Sequence, residues 1–157
     1  MDELDSAIIT RLQADARQTN RELARSLGIA PSTCLERVRL LRKRGVILGY
    51  TAQVSLPALN RHVQALIAVQ VRPLNREVVD GVRRTLRALP EVLAVFVLAG
   101  GDDFVVHVAV QDVGQLHSFL IDRLSGRREI IGFRTSVIYQ HDETAVVTPL
   151  PPGVSPG

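Results

Sequence analysis

Residues 19–31 leave the chain little choice of local fold. Thr19-Asn20-Arg21-Glu22 has the Thr-x-x-Glu form of a capping box, in which hydroxyl and carboxylate each satisfy an N–H that a helix start leaves open. Gly28 stands where a helix stop favours a left-handed residue. Pro31 stands where the next helix begins, because its missing N–H costs nothing in a first turn. A start, a stop and a second start this close together predict two helices meeting across Gly28-Ile29-Ala30, a helix-turn-helix. Leu23, Ala24 and Leu27 form the apolar face of the first. Cys34, Val38 and Leu41 recur at i, i+4 and i+7 in the second, which is expected to run to about Arg44 and stop at Gly45. Upstream, Leu4, Ile8 and Leu12 line one face of a further helix, with Asp2, Glu3 and Asp5 in its first turn, where negative charge is favoured. The segment 46–56, rich in β-formers and broken by Gly49, predicts a short wing or strand pair.

The remainder repeats a simpler pattern. Residues 63–71, 92–98, 104–110 and 130–140 read as strands. Asn75 can cap a helix carrying Val78, Val82, Leu86 and Leu89, and Asp112 one carrying Val113, Leu116, Leu120 and Leu124. Gly100-Gly101-Asp102-Asp103 is a strong turn signal. The order is β-α-β-β-α-β, the ferredoxin-like arrangement. The chain is therefore expected to be α+β: a winged helix-turn-helix over residues 1–56, a linker at 57–62, a ferredoxin-like domain at 63–142 and a tail at 143–157. The strands are apolar at nearly every position, which implies burial of both sheet faces. Nothing else in the chain remains to cover the second face, so an oligomer is expected. Pro149, Pro151, Pro152 and Pro156 predict a loose end to the tail.

Composition limits the function. The chain has 157 residues, 46% of them hydrophobic, so one medium domain or two small ones are accommodated and a disordered chain is not. No apolar stretch is long enough for a membrane helix. The acidic start MDELDSAI is not a secretory signal, which points to the cytoplasm. Cys34 is the single cysteine, so internal disulfides and multi-cysteine metal sites are excluded. Its place on the core stripe predicts a buried, inert thiol. His62, His107, His117 and His141 show no metal-ligand spacing, and no nucleotide-binding glycine motif is present. No nucleophile or base motif accompanies Asp102-Asp103, so an enzyme is not expected.

The net charge of +3 is unevenly placed. Residues 1–45 hold nine Arg or Lys against six Asp or Glu, and the rest of the chain holds ten of each. A basic first third suits a nucleic-acid-binding module. In a helix-turn-helix the second helix enters the major groove with its N-terminal residues at base edges. Ser32, Thr33, Glu36 and Arg37 occupy that end. Ser and Thr can bond bases or phosphate, Glu can accept from cytosine, and Arg can pair with guanine in a bidentate way. Arg42, Lys43 and Arg44 at the far end, with Arg21 on the preceding helix, suit phosphate contacts. A merely solvated basic face, favoured at a helix C-terminus in any case, is the alternative.

The segment ELARSLGIAPSTCLERVRLLRKRGVILGYTA resembles the N-terminal domain of the Lrp/AsnC (feast/famine) family of transcription regulators, and CLERVR is similar to its leucine-responsive branch. The later β-α-β-β-α-β pattern resembles that family's effector and assembly domain. LAGGDDFVVHVAVQD resembles its Gly-x-x-Asp-aromatic turn, carried by Gly100, Asp103 and Phe104. The resemblance covers residues 2 to about 142. Two departures stand out: Ala30 replaces a frequent Ser before Pro31, and an aromatic residue is missing from the turn.

The resemblance implies a regulator that binds double-stranded DNA, forms a homodimer assembling to a tetramer or octamer, and takes an amino acid effector between dimers, with no cofactor or metal. By position, Gly100, Gly101, Asp102 and Asp103 would line the effector pocket, with Thr135 and Ser136 on the last strand. Glycine N–H groups can hold a carboxylate and an Asp an ammonium group. The same four residues also make a good hairpin turn and nothing more. Two other readings remain open at this point: a nucleoid-type architectural DNA-binding protein with little effector response, and a ferredoxin-like regulatory or enzymatic domain with a solvated basic bundle.

Overall fold

A computed structural model describes residues 1–150. The expected looseness of the proline-rich end falls largely on 151–157, outside the described residues. By its internal contacts the chain divides into two units. One comprises 1–52 with the chain from 142 onward, and the other comprises 53–141.

The first unit, the head, holds α1 (Glu3–Ala14), α2 (Asn20–Leu27) and α3 (Pro31–Lys43). The capping box forms as the spacing predicts: the Glu22 N–H donates to Thr19 Oγ1 at 3.2 Å, and the Thr19 N–H donates to Glu22 Oε2 at 2.6 Å. Gly28 closes α2 at φ 67°, a left-handed conformation that a Cβ would penalise by about 1 kcal/mol. The Asn20 side-chain amide donates to the Pro31 carbonyl at 2.8 Å, tying the first turn of α2 to the first turn of α3. Ile8, Leu23, Ala24, Cys34 and Leu41 form the buried core, with Leu4, Leu12, Leu27 and Val38 packed against it. No strand forms in 46–56, contrary to the pair expected there. A strand needs a partner for its N–H and C=O groups, and this segment finds none among the described residues; Leu48 and Val54 lie exposed. From the tail, Val147 exchanges two main-chain hydrogen bonds with the Gln13 amide on α1, at 2.9 and 3.0 Å.

The second unit holds β1 (Val63–Val71), α4 (Arg76–Arg87), β2 (Val92–Val97), β3 (Phe104–Val110), α5 (Val113–Phe119) and β4 (Ile130–Ile138). The strands form one antiparallel sheet in the order β2-β3-β1-β4, the ferredoxin-like topology. Residues on one side of β1 and β3 (Ala65, Ile67, Val69, Val71, Phe104, Val106, Val108 and Val110) are buried with Val82, Leu86, Leu116, Phe119 and Leu124 from the helical layer. The other side is open within the chain: Leu66 is 38% exposed and Phe96 51%. Here α5 departs from the expected single helix. It passes into a π-helical turn over Leu120–Ser125, so that Phe119 and Leu124, five residues apart, both face the core and Leu120 is only partly buried. The expected linker is partly ordered. Pro57–Leu59 form a 3-10 turn, and Arg61 donates to the carbonyls of Ala109 and Pro90 at 3.0 and 2.6 Å.

Candidate nucleic-acid interface and ligand turn

The outer surface of α3 is polar and basic. Ser32, Thr33, Glu36, Arg39, Arg42, Lys43 and Arg44 are exposed, as is Arg21 on α2. Cys34 and Leu41 face the core, and burial raises the Cys34 thiol pKa above its ordinary value, which disfavours the reactive thiolate. Ala30 provides no side-chain cap for α3. Arg37 is the residue whose setting differs most from the sequence reading. It is half-buried and turned toward α1, with Nη1 2.5 Å from Asp2 Oδ2 and 3.2 Å from Asp5 Oδ1. Asp2 Oδ1 meanwhile accepts the Asp5 N–H at 2.8 Å and so caps α1. That backbone hydrogen bond, followed by the Arg37 guanidinium, holds the Asp2 carboxyl below its ordinary pKa; the Asp2 contact in turn raises Arg37. Arg39, which spacing alone did not single out, is exposed on the outward side of α3, and no hydrogen bond or ion pair holds it among the described residues.

At the hairpin between β2 and β3 the two adjacent aspartates point to different partners. Asp103 is buried. Its Oδ2 accepts the Val71 N–H at 2.8 Å and lies 3.1 Å from Arg72 Nη1. Its main chain also bridges, with the N–H donating to Val69 and the carbonyl accepting from Leu98. Asp102 turns to the open side of the sheet, where Arg134 Nη2 approaches Oδ2 at 2.6 Å and Gln70 Nε2 donates to the neighbouring Gly101 carbonyl at 2.9 Å. Arg134 and Gln70 were not foreseen, because only the strand register places them beside the turn: Ala68 pairs with Arg134 and Gln70 with Gly132. Thr135 and Ser136 do not share a face. Thr135 lies opposite Ile67, on the helix-covered side, and Ser136 opposite Leu66, on the open side with Arg134. A cavity of about 220 Å³ opens at the far end of the sheet from this turn, among Arg61, Glu91, Gln111 and Gln115.

A helix-turn-helix with a polar, basic second helix, joined to a ferredoxin-like domain with a charged turn, defines a two-part regulator: one part binds DNA and the other binds a ligand. Sequence and structure comparisons agree. A family model described as "Winged helix-turn-helix DNA-binding" matches residues 1–47, and "Lrp/AsnC ligand binding domain" matches residues 64–145. The chain belongs to the Lrp/AsnC family of transcriptional regulators, which are not enzymes. It is 38% identical over 141 residues to the HTH-type transcriptional regulator AldR of Mycolicibacterium smegmatis, covering 90% of this chain and 82% of that protein. It is 31% identical to the transcriptional regulator AzlB of Bacillus subtilis, with 96% of each chain covered. Among solved structures, a Neisseria meningitidis transcriptional regulator in complex with L-Met superposes with a TM-score of 0.86 at 28% identity, covering 96% of each chain. AsnC of E. coli superposes at 0.84 and 25% identity, covering 95% of this chain and 99% of that one. No helix among the described residues is long and apolar enough to cross a membrane.

Proposed function

We propose that this DNA-binding regulator responds to a free amino acid held at the turn Gly100–Asp103. The observation that carries this is the Asp102–Arg134 pair on the open side of the sheet. Asp102 offers an acceptor for an ammonium group, Arg134 offers donors for a carboxylate, and glycine N–H groups adjoin them. Such a pair complements a zwitterion, and the family relative from Neisseria is an L-Met complex. Ser136 lies on the same side and belongs to the proposed site; Thr135 and Asp103 support it from within the domain.

The open sheet face with Leu66 and Phe96 supports a homodimer, assembling further to a tetramer or octamer, in which a second copy completes the ligand site. Two heads on such a dimer would read pseudo-palindromic half-sites one helical turn apart. Ser32, Thr33 and Glu36 are proposed to meet base edges, and Arg21, Arg42, Lys43 and Arg44 phosphates. We place the protein in the cytoplasm, give it no cofactor, and assign residues 1–56 to the head, 57–62 to a linker, 63–142 to the sensor and 143–157 to the tail. The CLERVR segment supports a recognition helix of the leucine-responsive type, in line with 30% identity over 135 residues to the leucine-responsive regulatory protein of Rhizobium meliloti.

The test is a titration of the twenty amino acids, read by thermal shift, mass distribution and DNA affinity. One or more is expected to raise the melting temperature and alter assembly, and Asp102→Asn is expected to abolish that shift while DNA binding without ligand persists. An unchanged response in Asp102→Asn, or no response to any amino acid, overturns the reading. A uniform, steeply salt-dependent affinity for all sequences would favour an architectural role instead.

A further inference from the structure

Successive residues of an α-helix are turned by about 100°. On α3 this places Ser32, Glu36, Arg39 and Lys43 in one outward line, opposite the stripe of Cys34, Val38 and Leu41. All four are exposed. Arg37 lies off that line, on the flank facing α1, where it closes a cluster with Asp2 and Asp5. Asp5 is 3% exposed, and a carboxylate this buried must keep a cation or a hydrogen-bond donor. To reach a base edge, Arg37 would have to abandon it and leave a buried charge unpaired. Arg39 carries no such obligation.

We infer that Arg37 is a positioning residue that sets the angle of the recognition helix on α1, and that Arg39 is the arginine that reads a base. The inference rests on DNA binding through the helix-turn-helix and is independent of any effector. Arg39 stands one turn beyond Glu36 on the same line, so the two would meet neighbouring base pairs. The guanidinium is matched to guanine O6 and N7, and the carboxylate to the cytosine N4 amino group. Anchored to α1, Arg37 instead holds this line at a fixed angle within the three-helix head. In this way a residue with no base contact supports every base contact equally.

The experiment measures binding of the full-length protein to a pool of duplexes with randomised sequence at fixed salt, for Arg39→Ala, Arg37→Lys, Arg37→Ala and Asp5→Asn. Arg39→Ala is expected to erase the preference at one base position per half-site and to weaken the preferred sequence by about 5- to 100-fold. Arg37→Ala and Asp5→Asn are expected to weaken all sequences by a common factor with the ranking preserved, and to lower the melting temperature of the head. Arg37→Lys retains a cation for Asp5 and is expected to recover most of the loss, which a bidentate guanine reader would not do. If Arg37→Ala fails to fold, Arg37→Lys and Asp5→Asn still decide the matter. Loss of preference at a single position in Arg37→Lys overturns the positioning role. Unchanged preferences in Arg39→Ala overturn the reading role.

Discussion

Head and sensor each hold a pair of aspartates against arginine, and they divide the work differently. In the head, one arginine serves both acids: Arg37 reaches buried Asp5 and exposed Asp2, and Asp2 also caps α1. One closed cluster thus joins the cap of α1 to the flank of α3. At the sensor turn the acids are neighbours in sequence but separate in role. Asp103 is buried and bound to a main-chain N–H, whereas Asp102 is paired on the open side with an Arg134 side chain that is 76% exposed. The turn can present a charge pair to a ligand without disturbing the group that holds it together. The head has no such separation.

The largest effect is expected on the sensor's buried acid. Asp103→Ala removes the acceptor for the Val71 N–H and the partner of Arg72, so the sensor should lose about 3 kcal/mol of stability. Urea denaturation followed by hydrogen exchange of β1 and β3 would measure it. Asp103→Asn keeps one acceptor oxygen and should lose less. A fully stable Asp103→Ala variant would mean that the turn is held elsewhere and that the two aspartates are not divided as described.

The matching change in the head should be smaller. Asp5→Ala deletes the buried acid together with its charge, and Arg37, whose side chain is 35% exposed, keeps Asp2 and water as partners. The expected loss is about 2 kcal/mol, confined to the head transition. A loss equal to or greater than that of Asp103→Ala would reverse the ranking of the two clusters.

These clusters also show what local pattern can and cannot reveal. Caps, stops and apolar periods are local, so α1 to α4, the β-α-β-β-α-β order of elements and the capping box were legible in the sequence. The register of the sheet was not. Arg134 and Gln70 reach the turn only because β1 lies between β3 and β4, and spacing along the chain carries no sign of it. Adjacent Thr135 and Ser136 must fall on opposite faces of a strand, a geometric rule that family likeness alone overlooked. Arg37 was read as a base contact from its place near the start of α3, and its pairing with Asp5 and Asp2 did not show because they lie 32 and 35 positions away. The π turn after α5 escaped because Leu116, Leu120 and Leu124 satisfy a perfect α period, whereas packing selects Phe119 and Leu124. At 46–56 β propensity was read correctly as composition, but a strand also needs a partner, which the described residues do not supply.

Acid should separate the two regions next. In the head, hydrogen bonds hold Asp2 below its ordinary value of 3.8 and Glu22 below 4.5. A carboxyl with a lowered folded pKa contributes stability above its unfolded pKa and loses it as the pH falls through the lowered folded value. The head should therefore weaken progressively below pH 4.5 as the α1 cap and the α2 capping box protonate. Both groups lie at the surface, so the effect should be modest and sensitive to salt. Helical signal of the head between pH 7 and pH 3 tests this, with Asp2→Asn plus Glu22→Gln as the control. If that double variant showed the same acid loss as the parent, these two carboxyls would not be its source.

The smallest expected change is a gain, and it sharpens the comparison most directly. In the described residues α1, α2, α4 and α5 each start on a side-chain cap, from Asp2, Thr19, Asn75 and Asp112 respectively. Only α3, the second helix of the helix-turn-helix, starts without one, at Ala30. Pro31 sets the backbone angle there but offers nothing to the N–H groups of Ser32 and Thr33. Ala30 already has the extended conformation of an N-cap, φ −66° and ψ 140°, so Ala30→Ser needs no backbone change for its hydroxyl to accept one of those N–H groups. The head should gain about 0.5–1 kcal/mol and the sensor nothing. Separate melting of the two units would show the gain in the head transition alone. No gain would mean that those N–H groups are already satisfied by water, and that the missing cap costs α3 nothing.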